Sequence, residues 1–235
     1  MSDRFPICTA TYTRYDLLAR SIKSFADEED PAFKVEFHII DNGGFFQESG
    51  FWDEIKDHPN LPPIHVTTPK YNLGVGRSCN NFVRNIGRCI IINDDVVTTT
   101  KDLLVMKDCG DDNPDTIVIT HDDPIDAFTI FMVNRPKAWV QLGGFDEVFY
   151  PAYYEDNDLR YRLKLANNPI VTVKIENWKH DRSSTLGGFT EREKRNHWGN
   201  FDALGLYYIQ KWGGKPGEET YTEPFEYVYD CSLDQ

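Results

Sequence analysis

The pattern of apolar and polar residues singles out the stretch 90–97. Three isoleucines are followed directly by Asn93-Asp94-Asp95 and then by two valines. A continuous apolar run without alternation is typical of a strand that is buried on both faces. The carboxyl ends of such strands form the edge at which open α/β sheets bind ligands. The pattern therefore predicts a central strand that presents a polar triplet at a ligand-binding edge.

Strand-like and helix-like patterns alternate along the rest of the chain. After Arg14, for example, Leu17, Leu18 and Ile22 recur at helical spacing. The predicted strands cover 5–10, 35–40, 64–67, 116–120, 128–133 and 170–175. The predicted helices cover 15–25, 101–108, 137–142 and 191–212, and two more begin near Phe82 and Glu155. This alternation predicts an α/β fold in which helices flank a mostly parallel central sheet.

The length of the chain fits one α/β domain or two small ones. We expect a single domain over 1–212, with a nucleotide-binding half at about 1–97 and an acceptor and catalytic half at about 98–212. Its last helix carries apolar and aromatic residues on one side, namely Trp198, Phe201, Leu204, Tyr208 and Trp212. A Gly/Pro linker and an aromatic tail follow in 213–235. We expect the tail to pack on the core; a cover over the acceptor cleft and a subunit contact are the alternatives.

Composition narrows the class of protein. The 235 residues carry a formal net charge of −13, which argues against binding a nucleic-acid backbone because a basic stripe is missing. Mean hydropathy is −0.53, and the sequence contains neither a membrane-spanning apolar run nor a signal peptide. The five cysteines are scattered and odd in number, which argues against both a disulfide framework and a zinc site. These features predict a cytoplasmic protein.

Asp95 is the first candidate for a metal ligand. Mg²⁺ and Mn²⁺ prefer oxygen ligands, and one or two carboxylates together with substrate phosphates suffice to bind them. We therefore expect Asp95, with Asn93 and Asp94 beside it, to hold a divalent cation that carries a phosphorylated donor. A strand that ends in an Asx turn is the alternative. His180 is a candidate second ligand, although a loop histidine often has no such role.

A second acidic cluster begins a predicted helix. Glu155, Asp156 and Asp158 lie in its first turn, where the helix macrodipole favours acids in any case. Three carboxylates exceed what capping needs, and hydrogen bonds at a helix N-terminus would keep one of them ionised. An ionised, fixed carboxylate suits a general base that takes a proton from a hydroxyl nucleophile.

Two further segments are candidates for nucleotide contacts. Asp41 follows a predicted strand, and its role is either a turn or an acceptor for a base N–H or a ribose hydroxyl. In the segment 71–81, glycines allow close approach of the backbone to a ligand, and Arg77 is placed to meet a phosphate or a base. A dinucleotide-binding loop is disfavoured because the third glycine of that motif is missing.

In this order, the motifs resemble those of the inverting family 2 glycosyltransferases of the GT-A fold, over roughly residues 5–185. The matching segments are 9–14, 40–43, 72–77, the triplet Asn93-Asp94-Asp95, 143–147 and 155–159. Each is a weak signal alone, and six in the family's order are a strong one. The resemblance implies a transferase that moves a sugar from a nucleotide-diphosphate donor to an acceptor hydroxyl, with inversion and with Mn²⁺ or Mg²⁺ as cofactor. The acceptor would be a glycan, lipid-linked or protein-linked.

The resemblance also implies residue roles. Asp95 would bind the metal, with His180 close to the metal and the diphosphate, and Asp156 would be the catalytic base, supported by Glu155 and Asp158. The donor pocket would be lined by Thr11, Arg14, Asp41, Arg77, Asn93, Asp94 and Gly144.

One position departs from the family pattern. Asn93 replaces the first acid of the Asp-x-Asp motif, as in relatives that look like rhamnosyltransferases, so a deoxysugar donor is one expectation. The rival interpretations are a nucleotidyltransferase of related fold, a non-catalytic sugar-binding module and a retaining transferase.

Overall fold

The fold is taken from a computed structural model, which describes residues 4–27, 33–120, 128–167, 170–181 and 190–226. The strands are β1 (Phe5–Thr11), β2 (Val35–Asp41), β3 (Ile64–Thr67), β4 (Cys89–Ile92), β5 (Val96–Val97), β6 (Ile117–Ile119), β7 (Ile130–Val133), β8 (Ile170–Thr172) and β9 (Lys179–His180). The helices are α1 (Tyr15–Asp27), α2 (Phe51–Ile55), α3 (Gly74–Asn85), α4 (Thr100–Asp112), α5 (Pro136–Gln141), α6 (Glu155–Leu165) and α7 (Glu191–Trp212).

Seven strands form one sheet in the order β3-β2-β1-β4-β7-β6-β8. Strand β7 is antiparallel to both of its neighbours, and the other pairs are parallel. Strands β5 and β9 form a separate antiparallel pair. The predicted α/β fold with a mostly parallel sheet is confirmed.

Strand β4 lies in the middle of this sheet and is buried along its whole length. Ile90 and Ile92 pack in the core on one face, with residues of α1 and α4. Ile91 packs in the core on the other face, with residues of α3 and α6. Burial on both faces explains why this strand shows no alternation of apolar and polar residues.

The predicted boundaries were wrong at several points. Helix α3 begins at Gly74, about two turns before Phe82, because its first turns are buried through small and polar residues. Strand β8 ends at Thr172, and α2, β5 and β9 were not predicted. On α7, Leu204, Tyr208 and Trp212 are buried as expected, but Trp198 is 52% exposed.

The first residues after α7 fold back onto its end. The backbone N–H groups of Thr220 and Tyr221 donate to the Trp212 carbonyl at 3.0 Å each, and the Tyr161 hydroxyl donates to the Tyr221 carbonyl at 2.7 Å. Tyr227 and Tyr229 of the predicted tail lie outside the described residues. The domain division made from the sequence stays a prediction.

Candidate functional site

The carboxyl ends of β1, β2 and β4 lie side by side because the three strands are parallel neighbours. Thr11 ends β1 opposite Asp41 at the end of β2, and the Asn42 N–H donates to the Thr11 carbonyl at 2.8 Å. Asn93 follows the last residue of β4. Several of the residues predicted to bind a donor therefore share one edge of the sheet, which is the edge where α/β folds bind ligands.

The two predicted metal ligands are in contact. Pairing of β5 with β9 sets His180 opposite Val96, the residue after Asp95. His180 Nε2 lies 3.2 Å from Asp95 Oδ1, and the two side chains are 11% and 7% exposed. An imidazole and a carboxylate are both common ligands of divalent metals. The donor set therefore fits a divalent cation that is also held by substrate oxygens.

Asp102, which the sequence reading did not select, helps to position His180. Thr99 caps α4 by accepting from the Asp102 N–H at 3.1 Å. The buried Asp102 carboxylate in turn accepts from the backbone N–H groups of Glu176 and Asn177, at 3.1 and 3.2 Å. These bonds hold the chain just before β9 against α4. The sequence signal was a Thr-x-x-Asp capping pattern. This pattern does not reveal that the Asp102 carboxylate also binds the backbone of Glu176 and Asn177.

Charges concentrate beside this pair of ligands. The pKa of Asp94 is raised to about 7. Burial and the charge of Asp95 raise it, and the Thr11 hydroxyl opposes this shift. The Arg14 guanidinium binds Asp16 at 2.8 and 2.9 Å and also interacts electrostatically with Asp94 and Asp95. A cation at this edge would therefore be drawn by two adjacent carboxylates.

Asp41 is buried and heavily hydrogen-bonded. Its oxygens accept from the Tyr15 hydroxyl at 2.6 Å, from the Gly44 and Phe46 N–H groups at 3.0 and 3.1 Å, and from the Thr68 hydroxyl at 3.3 Å. These bonds fix the loop that follows β2. A direct contact between Asp41 and a base or a ribose stays a prediction.

Arg77 lies in the first turn of α3 and binds Glu147, with Nε 2.8 Å from Oε2. Asn80 binds the same glutamate and the Phe145 carbonyl, at 3.1 and 2.8 Å. Gly144, with φ +60°, packs against Asn80 and Trp139, where a Cβ would clash. These contacts attach the segment 144–147 to α3. That Arg77 and Gly144 contact the donor stays a prediction.

Helix α3 also contacts the second acidic cluster. The Val75 N–H donates to the Pro151 carbonyl at 2.8 Å. A Cβ on Gly76 would lie 3.8 Å from the Glu155 Cβ. Since Ser78 of α3 accepts from Asn42, which follows β2, the start of α6 is joined through α3 to the same edge of the sheet.

Glu155 and Asp156, which we name the carboxylate pair, are only partly satisfied. Glu155 Oε2 is buried and has no hydrogen-bond partner among the described residues. Burial and the charge of Asp156 raise the pKa of Glu155 to about 8. Burial raises the pKa of Asp156 to about 6, although Asn157 donates to its Oδ1 through the backbone at 2.7 Å and the side chain at 3.0 Å. Burial and these hydrogen bonds act on the pKa of Asp156 in opposite directions, and burial has the larger effect.

Asp158 differs from the carboxylate pair. It is fully buried and accepts from Arg162 Nε at 2.8 Å, from Trp212 Nε1 at 2.9 Å and from Lys211 Nζ at 2.6 Å. We name Asp158 and these three partners the anchor. It joins α6 to α7, so the Asp158 carboxylate has the contacts of a structural group. Lys211 was missed because it interrupts an apolar helix face.

Two shallow cavities of about 350 Å³ each lie near these groups. One is lined by Thr98, Thr99, Asn177, Trp178 and neighbouring residues. The other is lined by Asn80, Phe145, Glu147, Lys211 and neighbouring residues. Neither of these two cavities is lined by Asp95 or Asp156.

Two solved structures have a fold similar to that of this chain. A mannosyltransferase from Pyrobaculum calidifontis, in complex with GDP-Man and Mn²⁺, is 14% identical with a TM-score of 0.56, over 73% of this chain and 55% of that one. TarS 1–349 from S. aureus, in complex with UDP-GlcNAc, is 12% identical with a TM-score of 0.59, over 88% of this chain and 64% of that one. At these identities the likeness shows the fold, which agrees with the GT-A expectation. The chain spans about 55 to 64% of the length of these two structures.

Sequence comparison adds no closer relative. No family model matches the chain, and no curated protein matches it. Among the described residues, the helices are all too short or too polar to cross a membrane.

Proposed function

We propose that this chain is an inverting glycosyltransferase that moves a sugar from a nucleotide-diphosphate donor to an acceptor hydroxyl, with the help of a divalent metal. The proposal is carried by two separate acidic groups, each linked by hydrogen bonds or packing to the carboxyl edge of the sheet. One group is Asp95 with its His180 partner. The other is the carboxylate pair, joined to that edge through α3. The fold, shared with sugar transferases, supports the same reading.

Donor binding is assigned to the end of the sheet that carries β1, β2 and β4. Thr11 and Arg14 would line the nucleotide, Asp41 and its loop would border the base or the ribose, and Arg77 would lie against the nucleotide. Asn93 and Asp94 would contact the sugar–nucleotide unit, with Gly144 beside the donor sugar.

Asp95 and His180 would hold Mn²⁺ or Mg²⁺. When bound, such a cation supplies a Lewis acid for the diphosphate, which is worth several kcal/mol of charge stabilisation. Mg²⁺ prefers sites made of oxygen ligands alone, whereas Mn²⁺ accepts an imidazole together with a carboxylate more readily than Mg²⁺ does. Mn²⁺ is therefore the better candidate.

The base is assigned to Asp156. A pKa of about 6 leaves this carboxylate ionised at neutral pH yet basic enough to take a proton. Glu155, with a pKa of about 8, stays protonated under the same conditions. Two neighbouring acids with separated pKa values are typical of sites where one is the base and the other is neutral.

The reaction is a single displacement. Asp156 takes the proton of the acceptor hydroxyl as that oxygen forms a bond to the anomeric carbon. The bond between the anomeric carbon and the diphosphate oxygen breaks on the opposite face, and the nucleoside diphosphate leaves. Attack from the face opposite the leaving group inverts the configuration. The acceptor is proposed to be a glycan on a lipid or a protein.

A donor screen tests this function. The full chain would be mixed with a panel of nucleotide sugars, including hexose and deoxyhexose donors, with Mn²⁺, Mg²⁺ or EDTA. A bound donor raises the melting temperature because it binds only the native state. The active donor should also release nucleoside diphosphate slowly in water. NMR should show that the released sugar has the anomeric configuration opposite to that in the donor.

Asp95→Ala is the matched variant for the metal role. It should lose the difference between Mn²⁺ and EDTA while keeping the melting temperature of the protein alone. Failure of every donor to stabilise the wild-type chain would contradict the proposal. Release of pyrophosphate from a nucleoside triphosphate would instead identify a nucleotidyltransferase, and a retained configuration would identify a retaining enzyme.

A further inference from the structure

A second group of metal-ligating side chains lies on the outer strands of the sheet. Glu36 and His38 are two residues apart on β2, so their side chains point to the same face. His65 of the edge strand β3 is the register partner of His38. Parallel pairing of the two strands therefore places two imidazoles and one carboxylate on one face.

The three side chains are close enough to share one ion. His38 Nε2 lies 3.1 Å from Glu36 Oε1. The two imidazole rings are stacked with centroids 4.8 Å apart and an angle of 22° between their planes. One ligand atom from each residue falls within 4.8 Å of the others. Ligands of a tetrahedral zinc ion, at about 2.0 to 2.2 Å from the metal, are separated by roughly 3.3 to 3.5 Å. Small side-chain rotations would bring the set to that spacing.

The surroundings leave the group accessible. The Glu36 and His38 side chains are 18% and 24% exposed, and His65 is exposed. An ion could therefore enter from solvent without any change in the sheet. The backbone that carries the three ligands is fixed by the β2–β3 ladder.

The chemistry of the set differs from that of the Asp95 site. Two imidazoles and one carboxylate suit zinc and neighbouring transition metals, whereas Mg²⁺ and Ca²⁺ prefer oxygen ligands alone. His38 is three residues before Asp41, so the group lies about 10 Å from the carboxyl edge of the sheet. The two sets therefore occupy different positions, and the set on β2 and β3 has one imidazole more than Asp95 and His180.

We propose that Glu36, His38 and His65 form a binding site for Zn²⁺, with a fourth position open to water. The ion would link the edge strand β3 to β2 and so stabilise the native state. This proposal is independent of the glycosyltransferase assignment, because none of its three residues takes part in that reaction.

Equilibrium dialysis of the metal-free full chain against Zn²⁺ tests the proposal. The wild-type chain should bind Zn²⁺, and His65→Ala should lose one equivalent. We expect loss of a direct ligand to weaken binding by more than the roughly 10- to 100-fold typical of an outer-shell partner. His58→Ala, which removes a histidine elsewhere in the chain, is the matched control and should keep that equivalent.

Three additional measurements keep the test decisive. Glu36→Gln should also weaken binding, and thermal melting without metal should show that the variants are folded. Asp95→Ala should keep the equivalent that His65→Ala loses. Absence of Zn²⁺ binding by the wild-type chain would overturn the proposal, as would wild-type binding in His65→Ala. Loss of that same equivalent in Asp95→Ala would assign the ion to Asp95 and His180 instead.

Discussion

Glu155 and Asp158 begin the same helix three residues apart, yet their surroundings are opposite. Glu155 is buried with one carboxylate oxygen that lacks a partner among the described residues. Asp158 is more deeply buried and binds two cations and an indole. The difference shows that burial alone does not make a carboxylate reactive. Asp158 lies against two cationic side chains and an indole N–H. Burial raises the pKa of both members of the carboxylate pair.

We therefore propose a chemical role for the carboxylate pair and a structural role for the anchor. Substitutions in the pair should change turnover and the dependence on pH. Substitutions in the anchor should change the free energy of unfolding. Three predictions test this division, beginning with the largest effect, and a fourth tests the contacts of Glu147.

Asp156→Asn should reduce turnover by about 100- to 10,000-fold, the usual contribution of a general base. Asparagine has the same shape and can still accept from Asn157, so donor affinity and melting temperature should stay close to those of the wild type. Initial rates with the donor found by screening, together with calorimetric donor binding, measure the two effects. Turnover like that of the wild type would remove Asp156 from the role of base.

The pH dependence provides a control for that assignment. Turnover of the wild type should fall as the pH drops below about 6, because Asp156 then becomes protonated. The residual rate of Asp156→Asn should not show this loss. The groups that act on the pair are Asp158 and Arg160 of α6, Tyr153 just before it, and Cys79 of α3. Asp158 is the one carboxylic acid among these four groups.

Asp158→Ala should lower the free energy of unfolding by about 3 to 5 kcal/mol, because it removes one partner of a buried ion pair. Lys211 would keep Asp146, at 2.7 Å, but the Trp212 indole N–H would lose its acceptor. Urea denaturation at neutral pH measures the change. Asp202→Ala, which removes an exposed acid of α7, is the control and should be nearly neutral. A small effect of Asp158→Ala would mean that the anchor does not hold α6 to α7.

The sequence predicted the central features of this site because they follow from strand order. Once β4 was recognised by its unbroken apolar run, the polar triplet had to lie at the carboxyl edge of the sheet. The contact between Asp95 and His180 was harder to foresee, because it depends on a two-residue ladder and on Asp102. The start of α3 was missed because Gly74, Gly76, Ser78 and Asn80 carry no apolar periodicity.

The distinction between the carboxylate pair and the anchor was not available from the sequence. In the first turn of a helix, Glu155, Asp156 and Asp158 look alike, and the macrodipole favours all three. Lys211 and Trp212, which separate Asp158 from the other two, lie more than fifty residues later in the chain. Tertiary contacts of this range leave no local pattern.

Glu155→Gln should stabilise the protein at alkaline pH. The folded-state pKa of Glu155, about 8, lies above its ordinary value of 4.5. Its contribution to stability is therefore fully present below about pH 4.5 and is lost as the pH rises through 8. Glutamine cannot ionise. The free energy of unfolding of the variant should therefore exceed that of the wild type by on the order of 2 kcal/mol at alkaline pH, and by less at acidic pH.

Denaturant melts at several pH values between roughly 5 and 9 measure this gain. Glu219→Gln is a suitable control because Glu219 accepts a hydrogen bond from the Tyr208 hydroxyl at 2.6 Å and lies away from the carboxylate pair. A constant difference between Glu155→Gln and the wild type across this range would show that Glu155 ionises normally.

Arg77→Ala should have the smallest effect on stability. It tests whether Arg77 binds the donor or only forms an ion pair with Glu147. The Arg77 side chain is 42% exposed, so loss of its ion pair should change the free energy of unfolding by about 0 to 1 kcal/mol. Arg84 also binds Glu147, at 3.3 Å, but it lies two turns further from the start of α3. If Arg77 lies against the nucleotide, Arg77→Ala should weaken donor binding by calorimetry while Arg84→Ala leaves it unchanged. Equal affinities in the two variants would restrict Arg77 to its ion pair with Glu147, and donor recognition would then rest on the sheet edge around Thr11 and Arg14.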